Sequence, residues 1–537
     1  MPVPRSDADA ALAGWKEAEA LMQRSMLAEA RAEYRALVGG ALEIPARLRL
    51  SVMASRQGDL QAATAEVLAA FQVGAREPEA LEALARRLLA LGEIEAFVRC
   101  AETIERSGCQ SIPVLAEMAR MLVSARRPAE ALGLLRRARG LGLNTPATRY
   151  LEGVSLLQCG ELDAAEAELE ACVLARPMFA RAHWALAKLR AQTPARNHVE
   201  RLERLLRDGG GAQPADLPHL LFALFKELDD LGEPQRAWDA LERGCRARRR
   251  LLEFDSAAEG LLFDRLRSVC SGRFLEGVAS DPAPGPVPIF IVGMPRSGTT
   301  VLERVLGNHS AVADAGELGD FSRQMRWVAN APGPTRLDLA LLDRAMSLDY
   351  GLIGRRYLEH TQWRAAGRPF FTDKLPANFM QIGFIRRALP QARILHLVRD
   401  PMDVCFSNLK ELFAGAYPHS YDLIELADHY GRYRRLLAHW HEHLPGCVLD
   451  VSYEQLATDP ERTARRILAF CGLAWEDDCI AIERRTTPVA TASSTQVREP
   501  IHSAAIGNWQ RYARQLEPLR QRLQQAGWLR DDDSERS

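Results

Sequence analysis

An apolar run, PIFIVGM (288–294), leads into PRSGTT (295–300) and then into a helical pattern. Residues in this order make an anion site. Gly293 and Gly298 permit a tight backbone path, successive N–H groups turn inward, and the following helix offers its positive end. Ser297, Thr299 and Thr300 add hydroxyl donors, and Arg296 puts a guanidinium inside the loop. The spacing is that of a GxxxxG[ST] loop, but Thr299 stands where a triphosphatase keeps its lysine. About 100 residues later ILHLV (394–398) ends at Arg399, where an acid would have held magnesium, and Ser407 follows. A guanidinium fork and a hydroxyl at the start of the next helix converge on one phosphate. Cation-rich and acid-poor, the pattern suits a bisphosphorylated nucleotide bound without a metal.

PRSGTT resembles the 5′-phosphosulfate loop of sulfotransferases, in the arginine form of the tyrosylprotein and Golgi carbohydrate enzymes. LVRDPMDVCFSN (397–408) resembles their 3′-phosphate motif, in which Arg399 and Ser407 grip the phosphate. The resemblance covers roughly residues 285–530. It implies 3′-phosphoadenosine 5′-phosphosulfate as donor, no metal, and a hydroxyl acceptor on a peptide tyrosine, a carbohydrate or a small molecule. The implied nucleotide contacts are Pro295, Arg296, Ser297, Gly298, Thr299, Thr300, Arg399 and Ser407, with Tyr453 near the adenine or packing beside it.

The same resemblance places a general base at Glu317 in AVADAGELGDF (311–321), with Asp314 and Asp320 as weaker alternatives. In FFTDKLPANF (370–379) it places a catalytic lysine at Lys374, aimed at the bridging oxygen. Asp373 then orients that lysine or caps the next helix. Arg296 takes a second role on the transferring sulfuryl group. The segment 490–512 resembles the loop that closes over the ligands, with Ser493, or its neighbour Ser494, neutralising the leaving group. Arg498 and Asn508 stand near positions where tyrosylprotein enzymes carry lysine, so Arg498 is expected to clamp the nucleotide and tyrosine specificity does not transfer. His502 belongs to the same loop. His396, Trp440, Trp475 and Trp528 read as packing.

The elements that position these residues divide in two. Residues from about 15 to 250 are rich in Ala, Leu, Arg and Glu, with apolar residues at helical spacing. Gly58, Gly92, Gly160 and Gly232 each separate two helices, and Ala63, Phe97, Ala165 and Ala237 lie five residues past them. Ala131 keeps the 34-residue grid with Arg126 in the glycine slot, and Ala30 precedes Ala63 by 33. This period resembles the tetratricopeptide repeat, five units and one more at the C-terminal end, with RDGGGAQPADLP (207–218) looping out between. Past the Pro/Gly-rich stretch 274–287, short apolar runs alternate with long helical ones, the pattern of a parallel sheet covered by helices. The expected architecture is an α-helical repeat solenoid over 1–273, a linker over 274–287, and an α/β P-loop-type sulfotransferase domain over 288–537. As a whole the chain is similar to the bacterial tetratricopeptide-repeat sulfotransferases.

The 537-residue chain has net charge -1, which argues against nucleic acid or an anionic membrane as partner. No run of roughly 18 apolar residues suggests a span. Ten scattered cysteines without a CxxC pair read as reduced thiols, and with no signal-like N-terminus the expected address is the cytoplasm. The repeats offer a surface for a protein or peptide partner, or for a second copy of the chain. Two other readings stay open at this point: a repeat scaffold whose sulfotransferase-like domain is inactive, and a P-loop kinase, which would need a lysine at the Thr299 position and a magnesium ligand.

Overall fold

The computed structural model describes residues 5–208, 213–277, 284–484 and 500–529. The chain forms two compact units, Met1–Leu143 with Gly319–Trp363, and Asn144–Leu318 with Arg364–Ser537. Among the described residues no helix is long and apolar enough to cross a membrane.

The first unit is helical. Its repeat helices run in pairs, from Arg5–Gln23 with Leu27–Ala36 to Ile112–Ser124 with Pro128–Gly140. Each turn inside a pair has one residue with positive φ: Ser25 (61°), Gly58 (80°), Gly92 (81°) and Arg126 (61°). Arg126 thus adopts the left-handed conformation that its slot demands, although it carries a Cβ. Ala30, Ala63, Phe97 and Ala131, in the second helix of each pair, are completely buried. Residues 319–363 complete the unit with helices Asp320–Val328, Leu339–Arg344 and Tyr350–Thr361.

The second unit joins further repeat helices to an α/β core. Gly160 and Gly232 again have positive φ (90° and 76°), and Ala165 and Ala237 are buried. Helices Ala180–Leu189 and Val199–Asp208 occupy the interval between those repeats, and residues 213–216 turn before Leu217–Asp230. Helix Gly272–Glu276 closes the helical part, and the sheet begins at Val287. Five parallel strands are β1 (Val287–Gly293), β2 (Val312–Asp314), β3 (Phe370–Asp373), β4 (Arg393–Val398) and β5 (Val448–Ser452), in the order β2-β3-β1-β4-β5. Ile289, Phe290, Ile291 and Val292 have no exposed surface, as a central strand covered on both faces requires. Leu302, Val305 and Leu306 from the helix after β1 pack with Leu395, Leu397, Val451 and Ile467 in one core.

Candidate active site

Chain direction across the sheet changes beside β1. From β1 the chain moves out to β2 and back to β3, then crosses to β4 on the other side. A crevice therefore opens at the carboxyl ends of β1 and β4, where open α/β sheets bind ligands. The loop after β1 and Arg399 after β4 border it.

The loop backbone is built for close approach. A Cβ at Gly298 (φ 103°) would lie 2.5 Å from the Tyr453 ring, and one at Gly293 would lie 2.7 Å from the Leu397 carbonyl oxygen. Arg296 between them holds φ 64°, a conformation costly for a side-chain-bearing residue. Gly298 caps helix Thr299–Gly307, so the helix N-terminus faces the crevice mouth. Thr299 and Ser297 are buried, and the Pro295 carbonyl accepts a 2.7 Å hydrogen bond from Asn408 Nδ2.

A cavity of about 280 Å³ lies here, lined by Arg296, Thr300, Arg399, Ser407, Lys410 and Tyr453 among others. Arg399 donates from Nη1 to the Arg296 carbonyl (3.1 Å) and from Nη2 to the Ala505 carbonyl (2.5 Å), and its guanidinium lies 4.7 Å over the Tyr453 ring. Arg399 Nε and Ser297 Oγ are buried donors with no hydrogen-bond partner among the described residues. A buried donor without an acceptor costs on the order of 1–3 kcal/mol, so the cradle suits a ligand bearing oxyanions. Burial lowers the pKa of Arg296, opposed by the Glu411 carboxylate, and lowers that of Lys410. Burial raises the Tyr453 phenol. The cavity also meets Asp403, whose carboxylate accepts from the Gly507 N–H (2.7 Å) and Trp509 N–H (3.3 Å) and so holds the segment that brings His502, Ala505 and Asn508 to the rim.

Lys374 and Glu317, 57 residues apart, form an ion pair at 2.8 Å. Lys374 follows β3 and is almost wholly enclosed, 1% exposed. Its backbone N–H donates to the Gly316 carbonyl (2.9 Å), which ties the two segments directly. A third group, Glu303 on the phosphate-loop helix, joins them. Its carboxylate lies 3.9 Å from Lys374 Nζ and accepts from Thr372 Oγ1 (3.0 Å) and from the Gly316 N–H (3.1 Å). Burial raises the Glu303 pKa, and Lys374 opposes that shift. The lining of the cavity does not include Glu317 or Lys374.

The other predicted residues are placed as follows. Asp314 pairs with Arg304 at 3.9 Å, and Asp373 accepts from Asn378 in the following 3-10 turn (3.2 Å). Asp320 lies in the first compact unit, 3.7 Å from Arg323. Ser493, Ser494 and Arg498 lie outside the described residues. His396 is buried in β4 between Asp450, at 2.7 Å, and the Tyr433 hydroxyl, and Trp440 is buried with Nε1 donating to the Phe379 carbonyl (2.9 Å). Trp475 Nε1 donates to Asp477 (2.6 Å) with Arg465 over its ring, and Trp528 packs near Gly431.

Four charged residues at or behind the site had no sequence motif: Glu303, Lys410, Glu411 and Lys188. For Lys410 a signal existed, since it stands three residues past Ser407 on the same helical face.

Among the described residues, two His/carboxylate groups come close enough to consider for a metal, Glu259/His419/His429 and His396/His441/Asp450. In the first, the imidazoles stack 3.5 Å apart at 13°, so one ion would lie outside both ring planes. In the second, a single Asp450 oxygen takes both histidines, at 2.7 and 3.0 Å, as a hydrogen-bonded cluster does.

Residues 288–477 match the model of the sulfotransferase family. An uncharacterised protein of Aquifex aeolicus (strain VF5) is 31% identical over 325 residues, covering 58% of this chain and 42% of that one. Protein-tyrosine sulfotransferase 2 of Gallus gallus is 27% identical over 252 residues, covering 41% of this chain and 62% of that one. The chain thus spans less than two thirds of the length of these relatives. The sulfotransferase domain from the Synechococcus PCC 7002 olefin synthase superposes with a TM-score of 0.32 at 19% identity, covering 43% of this chain and 90% of that one. A match to the sulfotransferase family thus lies in the C-terminal half of the chain, behind an all-helical, repeat-like region.

Proposed function

We propose that this chain transfers a sulfuryl group from 3′-phosphoadenosine 5′-phosphosulfate to a hydroxyl acceptor. The observation that carries the reading is the cavity at the β1/β4 crevice, where Arg296, Arg399 and Lys410 converge with the hydroxyls of Thr300 and Ser407. The one carboxylate among its described lining residues, Asp403, is engaged by two backbone N–H groups.

In this reading the phosphate loop, with Pro295 through Thr300, holds the 5′ side of the donor, and Arg399 and Ser407 hold the 3′-phosphate. Tyr453, backed by Arg399, flanks the base. Ser493 and Arg498 are assigned to the closing segment. When bound, the donor supplies the electrophilic sulfuryl group. Glu317 takes the proton of the acceptor hydroxyl. Lys374 and Arg296 present positive charge where negative charge grows on the leaving oxygen. The Lys374–Glu317 pair at 2.8 Å supports these two roles, because it holds the base and the lysine side by side. The repeats are assigned to a protein or peptide partner, and the chain to the cytoplasm.

The test is transfer of radiolabel from sulfur-labelled donor to a panel of tyrosine peptides, sugars and phenols, without added metal. Label on any hydroxyl acceptor supports the reading. Hydrolysis or exchange with ATP in place of transfer would sink it.

A further inference from the structure

The phosphate-loop arginine does not stand alone. Glu411, 6% exposed, points one carboxylate oxygen toward Arg296, at 3.9 Å from Nε. An unopposed buried carboxylate there would compete with any phosphate for the same guanidinium. Its other oxygen is taken by Lys188 Nζ at 2.7 Å. Lys188 belongs to helix Ala180–Leu189, within the helical part of the chain, and its ammonium rests 5.1 Å over the Trp184 ring. Burial presses the Lys188 pKa down and Glu411 holds it up. The next long helix, Leu217–Asp230, makes a second tie: Asp229 accepts from the Tyr512 hydroxyl (2.8 Å) and pairs with Arg511 (3.0 Å), just past the segment that forms the cavity rim. Both helices lie in the same compact unit as the sheet.

We infer that the N-terminal helical part of this unit is a working part of the nucleotide site, with Lys188 as a positioning residue that occupies Glu411 and so limits its hold on Arg296, the guanidinium assigned to the ligand's 5′-phosphate. This rests on the nucleotide reading proposed above. Lys188 acts through Glu411 and Arg296 and touches no ligand. Charge balance carries the argument: with Lys188 present the pair Lys188–Glu411 is neutral, and Glu411 does not cancel the charge of Arg296. Without it, Glu411 closes on Arg296 and cancels that charge.

The experiment is isothermal titration of the full chain and its variants with adenosine 3′,5′-bisphosphate and, in parallel, adenosine 3′-monophosphate. Lys188→Met is expected to weaken the bisphosphate about tenfold and the 3′-monophosphate by less than about twofold, because only the former reaches Arg296. Lys188→Arg, which keeps the charge, is expected to bind both as the unaltered chain does. The double variant Lys188→Met with Glu411→Gln removes both charges and is expected to recover most of the lost affinity. A variant damaged in folding would lose both ligands equally and would not be rescued. Equal losses on both ligands, no loss at all, or no rescue in the double variant would overturn the inference while leaving the nucleotide reading intact. Failure of the unaltered chain to bind the bisphosphate would overturn that reading and this inference with it.

Discussion

One guanidinium shows how densely the site is wired. Arg399 bonds the carbonyls of Arg296 and Ala505 and lies over Tyr453, so it joins the phosphate loop, the rim segment and the aromatic wall. Across the sheet, Glu317 and Lys374 make a second, separate pair. Glu317→Gln and Lys374→Met are expected to lower kcat for sulfuryl transfer by about 10²-fold or more, with bisphosphate affinity changed less than about threefold. A matched fall in affinity would remove both residues from the chemistry and leave them as binding groups. Arg296 and Arg399 could be singled out in the sequence because each follows an apolar run, and parallel strands deliver such positions to one edge, whereas Glu317 and Lys374 were marked by the resemblance of their segments to those of the family. Glu303 and Glu411 gave no such signal. Each sits in or just past a helix, where a carboxylate is ordinary, and only the fold reveals that it is enclosed beside a cation.

At the scale of elements, the helical turns carry their own physics. The 34-residue grid exposed the glycines, and it exposed Arg126 as an intruder in a glycine slot. Its φ of 61° confirms that the turn geometry overrides residue type. Arg126→Gly is therefore expected to raise the unfolding free energy by about 0.5–1 kcal/mol, and Gly232→Ala, at φ 76°, to lower it by about 1 kcal/mol, both by denaturant titration. Ser25, the slot residue of the first pair, escaped notice because a serine before a helical run reads as an ordinary cap. The helices between Ala165 and Ala237 were illegible for a different reason: they depart from the period, and periodicity is all that a degenerate repeat offers. Here His198 lies between Glu227 (2.7 Å) and Glu170 (3.1 Å). Burial opposes its charge, but the two carboxylates hold its pKa up at about 9, against an ordinary 6.5. Its contribution to stability is complete below pH 6.5 and is lost as the pH rises through about 9. The melting temperature is expected to fall across that window, and His198→Asn to flatten the fall; an unchanged slope in the variant would refute the assignment.

At the scale of the whole molecule, sequence texture divides the chain near residue 280, whereas contacts group Asn144–Leu318 with Arg364–Ser537. Composition reports how each segment folds locally, and says nothing of which surfaces its helices cover. Cys245 is buried with its thiol toward the Leu409 carbonyl, Arg249 pairs with Glu425 at 2.8 Å, and Phe222 meets Tyr421 edge-on. A fragment of residues 284–537 would expose these contacts. It is expected to aggregate or to lack a cooperative thermal transition, whereas a fragment beginning at residue 144 keeps all three. A soluble, cooperatively folding 284–537 fragment would show that the repeats merely adjoin the α/β core.

The central claim is a metal-independent site for a bisphosphorylated adenosine nucleotide, and titration of the full chain tests it most directly. Adenosine 3′,5′-bisphosphate without magnesium is compared with ATP plus magnesium, on the unaltered chain and on Arg399→Ala. The account predicts that the bisphosphate binds more tightly than ATP–magnesium and weakens at least tenfold in the variant, a change of about 1.4 kcal/mol or more. Tighter binding of ATP–magnesium, with Arg399 making no difference, would contradict it.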